Sequence, residues 1–234
     1  IGGLYFGTEN GDVIALYYNN GSLKWSYHTN GPVRSAPTPA WYSVWVGSLD
    51  GYTYGISWDG MLNWATYTGP VGNSSMAWYI AYRGRGIVCT EEGRVLDINL
   101  NVPGIFVNTS VGTCIGTSPA ISDQTAAFVG VDDRIVELKL GTNEILTDIT
   151  LDSKVTASPA LAYGKVFVGT KSGTVYAYGD KLRVINNTVY NTTEAGLAVI
   201  DAESEIYGNT IFNNSMFGIY ANNAVVNITE NNLL

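Results

Sequence analysis

Short runs of β-branched and aromatic residues recur through the first 180 residues, and each run closes on a turn residue. Short apolar runs of this composition, bounded by turn residues, predict strands rather than helices. Five runs align: Leu4-Tyr5-Phe6-Gly7 before Asn10-Gly11, Val44-Trp45-Val46-Gly47 before Asp50-Gly51, Gly86-Ile87-Val88-Cys89 before Glu92-Gly93, Ala127-Phe128-Val129-Gly130 before Asp133-Arg134, and Val166-Phe167-Val168-Gly169 before Ser172-Gly173. The turn residue recurs at 11, 51, 93, 134 and 173, in steps of 40, 42, 41 and 39. Turns of this kind need positive φ, which Gly supplies without a steric penalty. A second strand follows each turn: Val13-Ile14-Ala15-Leu16, Tyr52-Thr53-Tyr54-Gly55, Arg94-Val95-Leu96-Asp97, Ile135-Val136-Glu137-Leu138 and Val175-Tyr176-Ala177-Tyr178.

Gly and then Trp four residues later mark a third strand, as Gly21 with Trp25 and Gly60 with Trp64. The later copies decay to Gly141 with Ile145, and to Gly104-Ile105-Phe106. A Ser-Pro signature precedes the next unit at Ser35-Ala36-Pro37, Thr117-Ser118-Pro119 and Ala157-Ser158-Pro159, and has lost its proline at Asn73-Ser74-Ser75-Met76. Four short strands every 40 residues or so is the period of a propeller blade. A single blade cannot bury both of its faces, so the fold exists only as an array.

These residues resemble the PQQ-like β-propeller repeats of quinoprotein dehydrogenases and of non-enzymatic outer-membrane assembly propellers. The resemblance covers residues 1–181 and implies about five four-stranded blades, a partial or small ring. The first unit begins at its second strand and the fifth stops after its third, so the array is expected either to continue outside the sequence or to close unusually. By the same resemblance, Trp25 and Trp64 are wedges that dock neighbouring blades. A quinone-dependent enzyme of that family would bring a vicinal cysteine pair, a Ca²⁺ site and an Asp base, and the sequence has no adjacent cysteines.

After Lys181 the period changes. Val184, Ile206 and Ile228 are 22 apart, as are Asn187, Asn209 and Asn231, while Gly196 with Gly218 and Leu197 with Ile219 share the step. This predicts stacked coils with aliphatics on aliphatics and an asparagine ladder along one turn. Residues 182–234 resemble right-handed parallel β-helix repeats, with the motif at Tyr207-Gly208-Asn209-Thr210-Ile211-Phe212. The fold class is therefore all-β, a propeller segment followed by a short right-handed parallel β-helix. The last coil, ending at Leu233-Leu234, is expected to meet further chain or a partner.

Composition adds less. The formal charge of −8 and pI near 4.5 argue against nucleic acid, whose phosphates require a basic face. No apolar run of about 18 residues exists to span a membrane as a helix. The start, Ile1-Gly2-Gly3, carries no basic-then-apolar leader. Cys89 and Cys114 either pair as one disulfide or pack as buried thiols. His28 is the sole histidine, which leaves little for a triad. Glu91-Glu92 and Asp132-Asp133 fall on hairpin tips, as solvated carboxylates or a weak Ca²⁺ site, and no other cofactor is expected. Glu194, Asp201, Glu203, Glu205 and Glu230 are scattered over the coils without a basic partner beyond Arg183, unlike the clustered acids of a polysaccharide-cleaving site.

Trp41, Tyr42, Trp58, Trp78, Tyr79 and Tyr82 lie outside the repeated core positions. They are either platforms for sugars or protein partners, or fillers of irregular gaps between blades. Seven Asn-x-Ser/Thr sequons occur, at Asn20, Asn73, Asn108, Asn186, Asn191, Asn213 and Asn227. Few lysines, many tyrosines and these sequons point to an extracellular or cell-surface glycoprotein of archaeal-envelope character. The expected role is a non-catalytic structural and interaction protein with protein partners or self-assembly. The alternative is a glycan-binding module of a larger enzyme or adhesin. An enzyme, quinone-dependent or polysaccharide-cleaving, is the third reading.

Overall fold

The computed structural model describes residues 3–40, 42–79, 84–99, 104–114, 116–122, 126–162, 165–178, 182–185, 188–193, 195–200, 203–207, 209–215, 217–222, 225–229 and 232–233. Among them every regular element is a strand. The first sheet is an antiparallel meander of β1 (Gly3–Gly7), β2 (Asp12–Tyr17) and β3 (Leu23–His28). The second has four strands: β4 (Thr38–Ala40), β5 (Ser43–Gly47), β6 (Tyr52–Ser57) and β7 (Leu62–Tyr67). The third runs β8 (Ala77–Tyr79), β9 (Arg85–Cys89), β10 (Arg94–Asn99), β11 (Gly104–Ser110). The fourth runs β12 (Ala120–Ser122), β13 (Ala126–Val131), β14 (Arg134–Lys139), β15 (Ile145–Thr150).

The strand after each Ser-Pro signature begins the sheet that follows it. Thr38 lies opposite Trp45, Ala77 opposite Ile87, and Ala120 opposite Phe128. The hairpin glycines 11, 51 and 93 take φ of +88°, +93° and +80°, the left-handed region that the Asn-Gly and Asp-Gly pattern demands. In the fourth sheet, where Arg134 replaces glycine, the positive φ moves to Asp132, at +48°. A β-bulge repeats as well, at Ala15/Leu16, Gly55/Ile56 and Asp97/Ile98, in the equivalent pairs β2–β3, β6–β7 and β10–β11. Each bulge adds local twist.

The chain divides into two compact units, residues 1–132 with 136–148, and residues 133–135 with 149–234. In the first unit the core lies between sheets. Val13, Ala15 and Trp25 share a cluster with Val44, Val46, Tyr54 and Ile56 of the second sheet. Trp45 and Trp64 on the opposite face of that sheet cluster with Val88, Leu96 and Ile98 of the third. Ile87, Cys89 and Val95 in turn meet Ala127, Val129, Val136 and Leu138. Successive apolar residues of a strand thus serve two interfaces, one residue set for each neighbour.

The second unit contains β16 (Ala160–Ala162), β17 (Lys165–Gly169) and β18 (Val175–Tyr178), an antiparallel run that continues the pattern. Eight further strands follow: β19 (Leu182–Ile185), β20 (Thr188–Tyr190), β21 (Ala195–Ile200), β22 (Glu203–Tyr207), β23 (Thr210–Phe212), β24 (Phe217–Asn222), β25 (Val225–Thr229) and β26 (Asn232–Leu233). They form three parallel ladders, β18–β21–β24, β19–β22–β25 and β20–β23–β26. Register follows the 22-residue step: Leu197 lies opposite Ile219, and Val184, Ile206 and Ile228 are successive partners. The step begins earlier than composition indicated, because Val175 pairs with Leu197. One five-stranded sheet, β16–β17–β18–β21–β24, therefore takes strands from both sides of residue 181. Its core combines Phe167 and Ala177 with Leu197, Val199, Ile206, Ile219 and Val226.

Rungs of the ladders are held by side chains too. Thr192 donates through both its amide, at 3.2 Å, and its hydroxyl, at 2.7 Å, to the amide oxygen of Asn214, its partner one rung on. The rings of Tyr190 and Phe212 stack 5.2 Å apart and 9° from parallel. Asn209 of the expected asparagine ladder is buried, whereas Asn187 and Asn231 lie outside the described residues.

Candidate functional site

The repeated feature with the most structural content is the seam between sheets. Across β1–β2–β3, β5–β6–β7 and β9–β10–β11, one row reads Tyr5, Ala15, Trp25, then Trp45, Gly55, Trp64, then Ile87, Asp97, Val107. A large side chain on the third strand lies over a small residue on the second. At Gly55 the fit is closed, since a Cβ there would stand 2.3 Å from the Trp64 ring. Trp25 lies against Gly60 of the next sheet, whose φ of +91° and 2.8 Å clearance to the ring both require glycine. The Trp25 indole N–H donates to the Trp58 carbonyl at 3.0 Å, which satisfies the polar edge of a buried ring.

The third sheet breaks this row. Val107 stands where tryptophan stood, and Asp97 where Ala15 and Gly55 stood. The space is taken by an ion pair between Arg85 and Asp97, 3.0 Å apart, with side-chain exposures of 5% and 0%. Motif matching passed over Asp97. The signal was present, because it stands in register with two small residues, but it reads as a charge only once the missing tryptophan is noticed.

The disulfide Cys89–Cys114 occupies a second repeated contact, with Cα atoms 5.9 Å apart. In the first two sheets the equivalent pairs are Gly7 with Val33 and Gly47 with Val71, where a valine fills the space over a glycine. The bond closes a loop across a sequence separation of 25. Loop-closure entropy puts its worth at about 3 kcal/mol. Replacing both cysteines with alanine is expected to lower the unfolding free energy by about that amount and to steepen the urea slope, because the unfolded chain is no longer crosslinked, measured by urea unfolding against the oxidised protein.

In the second unit the Asp152 carboxylate receives hydroxyl hydrogen bonds from Ser172 and Thr174, while the Tyr176 hydroxyl accepts the Asp152 amide at 3.0 Å. Burial raises the carboxyl pKa, but the hydroxyl donors Ser172, Thr174, Thr170 and Ser153 outweigh it, and the net direction is down. A depressed folded pKa stabilises the protein above the unfolded value of about 4, and the gain is lost as pH falls through the folded value. Asp152→Asn is therefore expected to lose stability at neutral pH and to flatten the acid limb below about pH 4, followed by denaturant midpoints across pH.

The candidate binding aromatics separate into different settings. Tyr42 is exposed. Trp58 is half-buried against Tyr5 and the first inter-sheet cluster, and Trp78 is half-buried against the second. Those two side chains are part of the seams rather than free platforms. Tyr79 ends β8, opposite Arg85. Trp41 and Tyr82 lie outside the described residues. A further aromatic group, missed by motif matching, joins Tyr27, Tyr54, Tyr52 and Tyr67 through ring contacts of 5.9, 6.1 and 5.4 Å. The Tyr54 hydroxyl donates to Asp50 at 2.7 Å, and its pKa is pushed up by burial and by that carboxylate.

Of the seven sequon asparagines, Asn20, Asn73, Asn108, Asn191, Asn213 and Asn227 are exposed, and Asn186 lies outside the described residues. Among the acidic tips, Glu92 pairs with Arg94, and Asp132 accepts the Thr113 amide at 3.1 Å. His28 is exposed and lies 2.8 Å from Asp12. Among the described residues no three His, Cys, Asp or Glu side chains converge as a metal site. Of the coil acids, Glu203 and Glu205 lie on β22, and Glu194, Asp201 and Glu230 are outside the described residues.

No family model matches the chain, and no curated protein matches it. Solved structures do. One similar structure is BamB from Moraxella catarrhalis, a β-propeller, with TM-score 0.61 and 17% identity over 74% of this chain and 56% of that one. Another is the computationally designed Ika8 protein, with TM-score 0.62 and 20% identity over 73% of this chain and 53% of that one. The chain thus spans about half the length of these neighbours. The likeness establishes a propeller-like, all-β architecture.

Proposed function

We propose that this chain is a non-catalytic interaction and structural protein of the cell surface or extracellular space, part of a larger surface protein or assembly. About five four-stranded propeller blades form the platform, and the 22-residue ladders form a short right-handed parallel β-helix. Trp25 and Trp64 are the wedges between blades. The observation that carries the location is the Cys89–Cys114 disulfide, since such bonds persist in oxidising compartments. The exposed sequon asparagines support the same reading.

A platform built from repeats offers broad, rigid surfaces and places little demand on catalytic groups. The test is mass spectrometry of the protein isolated from its native cells, with and without reduction. The reading predicts a mass two daltons below the dithiol form and sugar on at least one exposed sequon. Reduced, unglycosylated protein recovered from the cytoplasm would overturn it.

A further inference from the structure

The second sheet departs from the repeat at the turn end of its hairpin. The rung that opens β6 pairs Tyr52 with Tyr67. The equivalent rungs of the first and third sheets pair Asp12 with His28 and Arg94 with Ser110. The repeat fills this place with charged and polar residues, so the packing of the sheets does not call for two aromatic rings there. The second sheet is covered on both faces, by Val13 and Trp25 of the first and by Val88 and Leu96 of the third. Tyr52 and Tyr67 are nevertheless 40% and 57% exposed.

Both rings are held in place. Their centroids lie 5.4 Å apart in an edge-to-face contact of 74°. Tyr67 also lies over the turn, since a Cβ at Gly51 would stand 2.8 Å from its ring. Tyr52 meets Tyr54, whose own ring is buried against Tyr27 of the first sheet. Asp50 stands beside them with a fixed carboxylate. Its Oδ1 accepts the Tyr52 amide at 2.9 Å, and its Oδ2 accepts the Asn30 amide at 2.9 Å and the Tyr54 hydroxyl at 2.7 Å. Ring faces carry the negative end of the aromatic quadrupole, and a carboxylate next to them adds a full negative charge.

We propose that Tyr52, Tyr67 and Asp50 bind the guanidinium group of an arginine side chain carried by a protein partner. Charge selects the ligand class. The chain carries a formal charge of −8. At the same rung of the neighbouring sheets, Asp12 adds a second carboxylate beside His28, and Arg94 is paired with Glu92. A sugar fits less well, because its hydroxyls need directional acceptors. Three donors already occupy Asp50, whose carboxylate offers about four lone-pair positions. A cation needs the charge and the ring faces alone. Arginine fits better than lysine, since its planar, weakly hydrated group stacks on aromatic faces. The proposal rests on the interaction-protein reading and assigns it a contact.

The probe is the acetylated, amidated peptide Gly-Gly-Arg-Gly-Gly, titrated into the intact chain while the nuclear magnetic resonance shifts of Gly51, Tyr52 and Tyr67 are followed. The same peptide with citrulline, which keeps the shape and loses the charge, and maltose are the comparisons. The arginine peptide is expected to move these three residues saturably, and less at high ionic strength. Tyr67→Leu is expected to weaken binding about fivefold, and Tyr67→Phe, which keeps a ring face, to retain it. Unmoved Val44 and Trp64 signals verify that each variant keeps its fold. No saturable shift with the arginine peptide overturns the proposal. So does an equal response to the citrulline peptide, undiminished binding by Tyr67→Leu, or a response to maltose in place of arginine. None of these results touches the interaction-protein reading, which fails separately on its own mass test.

Discussion

Trp64→Ala is expected to destabilise the first unit by about 3–5 kcal/mol, the range for deleting a buried aromatic side chain. The ring is 8% exposed, lies over Gly55, and meets Trp45 with centroids 6.2 Å apart. Its removal leaves a cavity in a seam that also contains Val88, Leu96 and Ile98 of the next sheet. Gly55→Ala, which places a methyl group where the ring sits, is expected to disrupt the same seam from the other side. Neither change should be rescued by the other, because an alanine at 55 fills only a small part of the indole volume. Tyr42→Ala, at an exposed aromatic, is the control and should shift the urea midpoint little. Equilibrium urea unfolding followed by tryptophan fluorescence and circular dichroism reads all three.

The second large effect concerns the buried ion pair. Asp97→Ala removes the carboxylate beside a guanidinium that water does not reach, and a loss of about 3–5 kcal/mol is expected. Arg85→Met leaves the mirror problem, a buried carboxylate without that cation. The double change Arg85→Met with Asp97→Leu removes both charges and returns shape-matched apolar groups, so it is expected to recover most of the loss. Urea midpoints of the two single variants and the double variant form a cycle whose coupling measures the pair. Additive losses would show that Arg85 and Asp97 act independently, contrary to the 3.0 Å contact.

The period of the sequence carried most of the fold. Turn glycines at 11, 51 and 93 sit at positive φ, and the strands that flank them pair as antiparallel hairpins. The 22-residue step translates directly into ladder register, from Leu197 to Ile219 and from Val184 through Ile206 to Ile228. Periodicity reported less well on positions where a repeat is broken. Asp97 and Cys89 stand in places that hold a small residue or a glycine elsewhere, and each is compensated by a residue distant in sequence, Arg85 or Cys114. Compensation of that kind depends on which strand lies beside which, and a one-dimensional pattern does not carry it. Composition left the aromatics open between platforms and fillers of gaps between blades, and Trp58 and Trp78 pack into the seams. The junction was also hidden. Asn and Thr enrichment begins after residue 181, while the parallel pairing begins at Val175.

That junction has a mechanical consequence. β18 is hydrogen-bonded antiparallel to β17 on one side and parallel to β21 on the other. Tension drawn along the strands loads both sets of bonds in shear, so many must rupture together instead of one after another as in unzipping. Pulling on the second unit should give a single high-force event spanning both kinds of pairing.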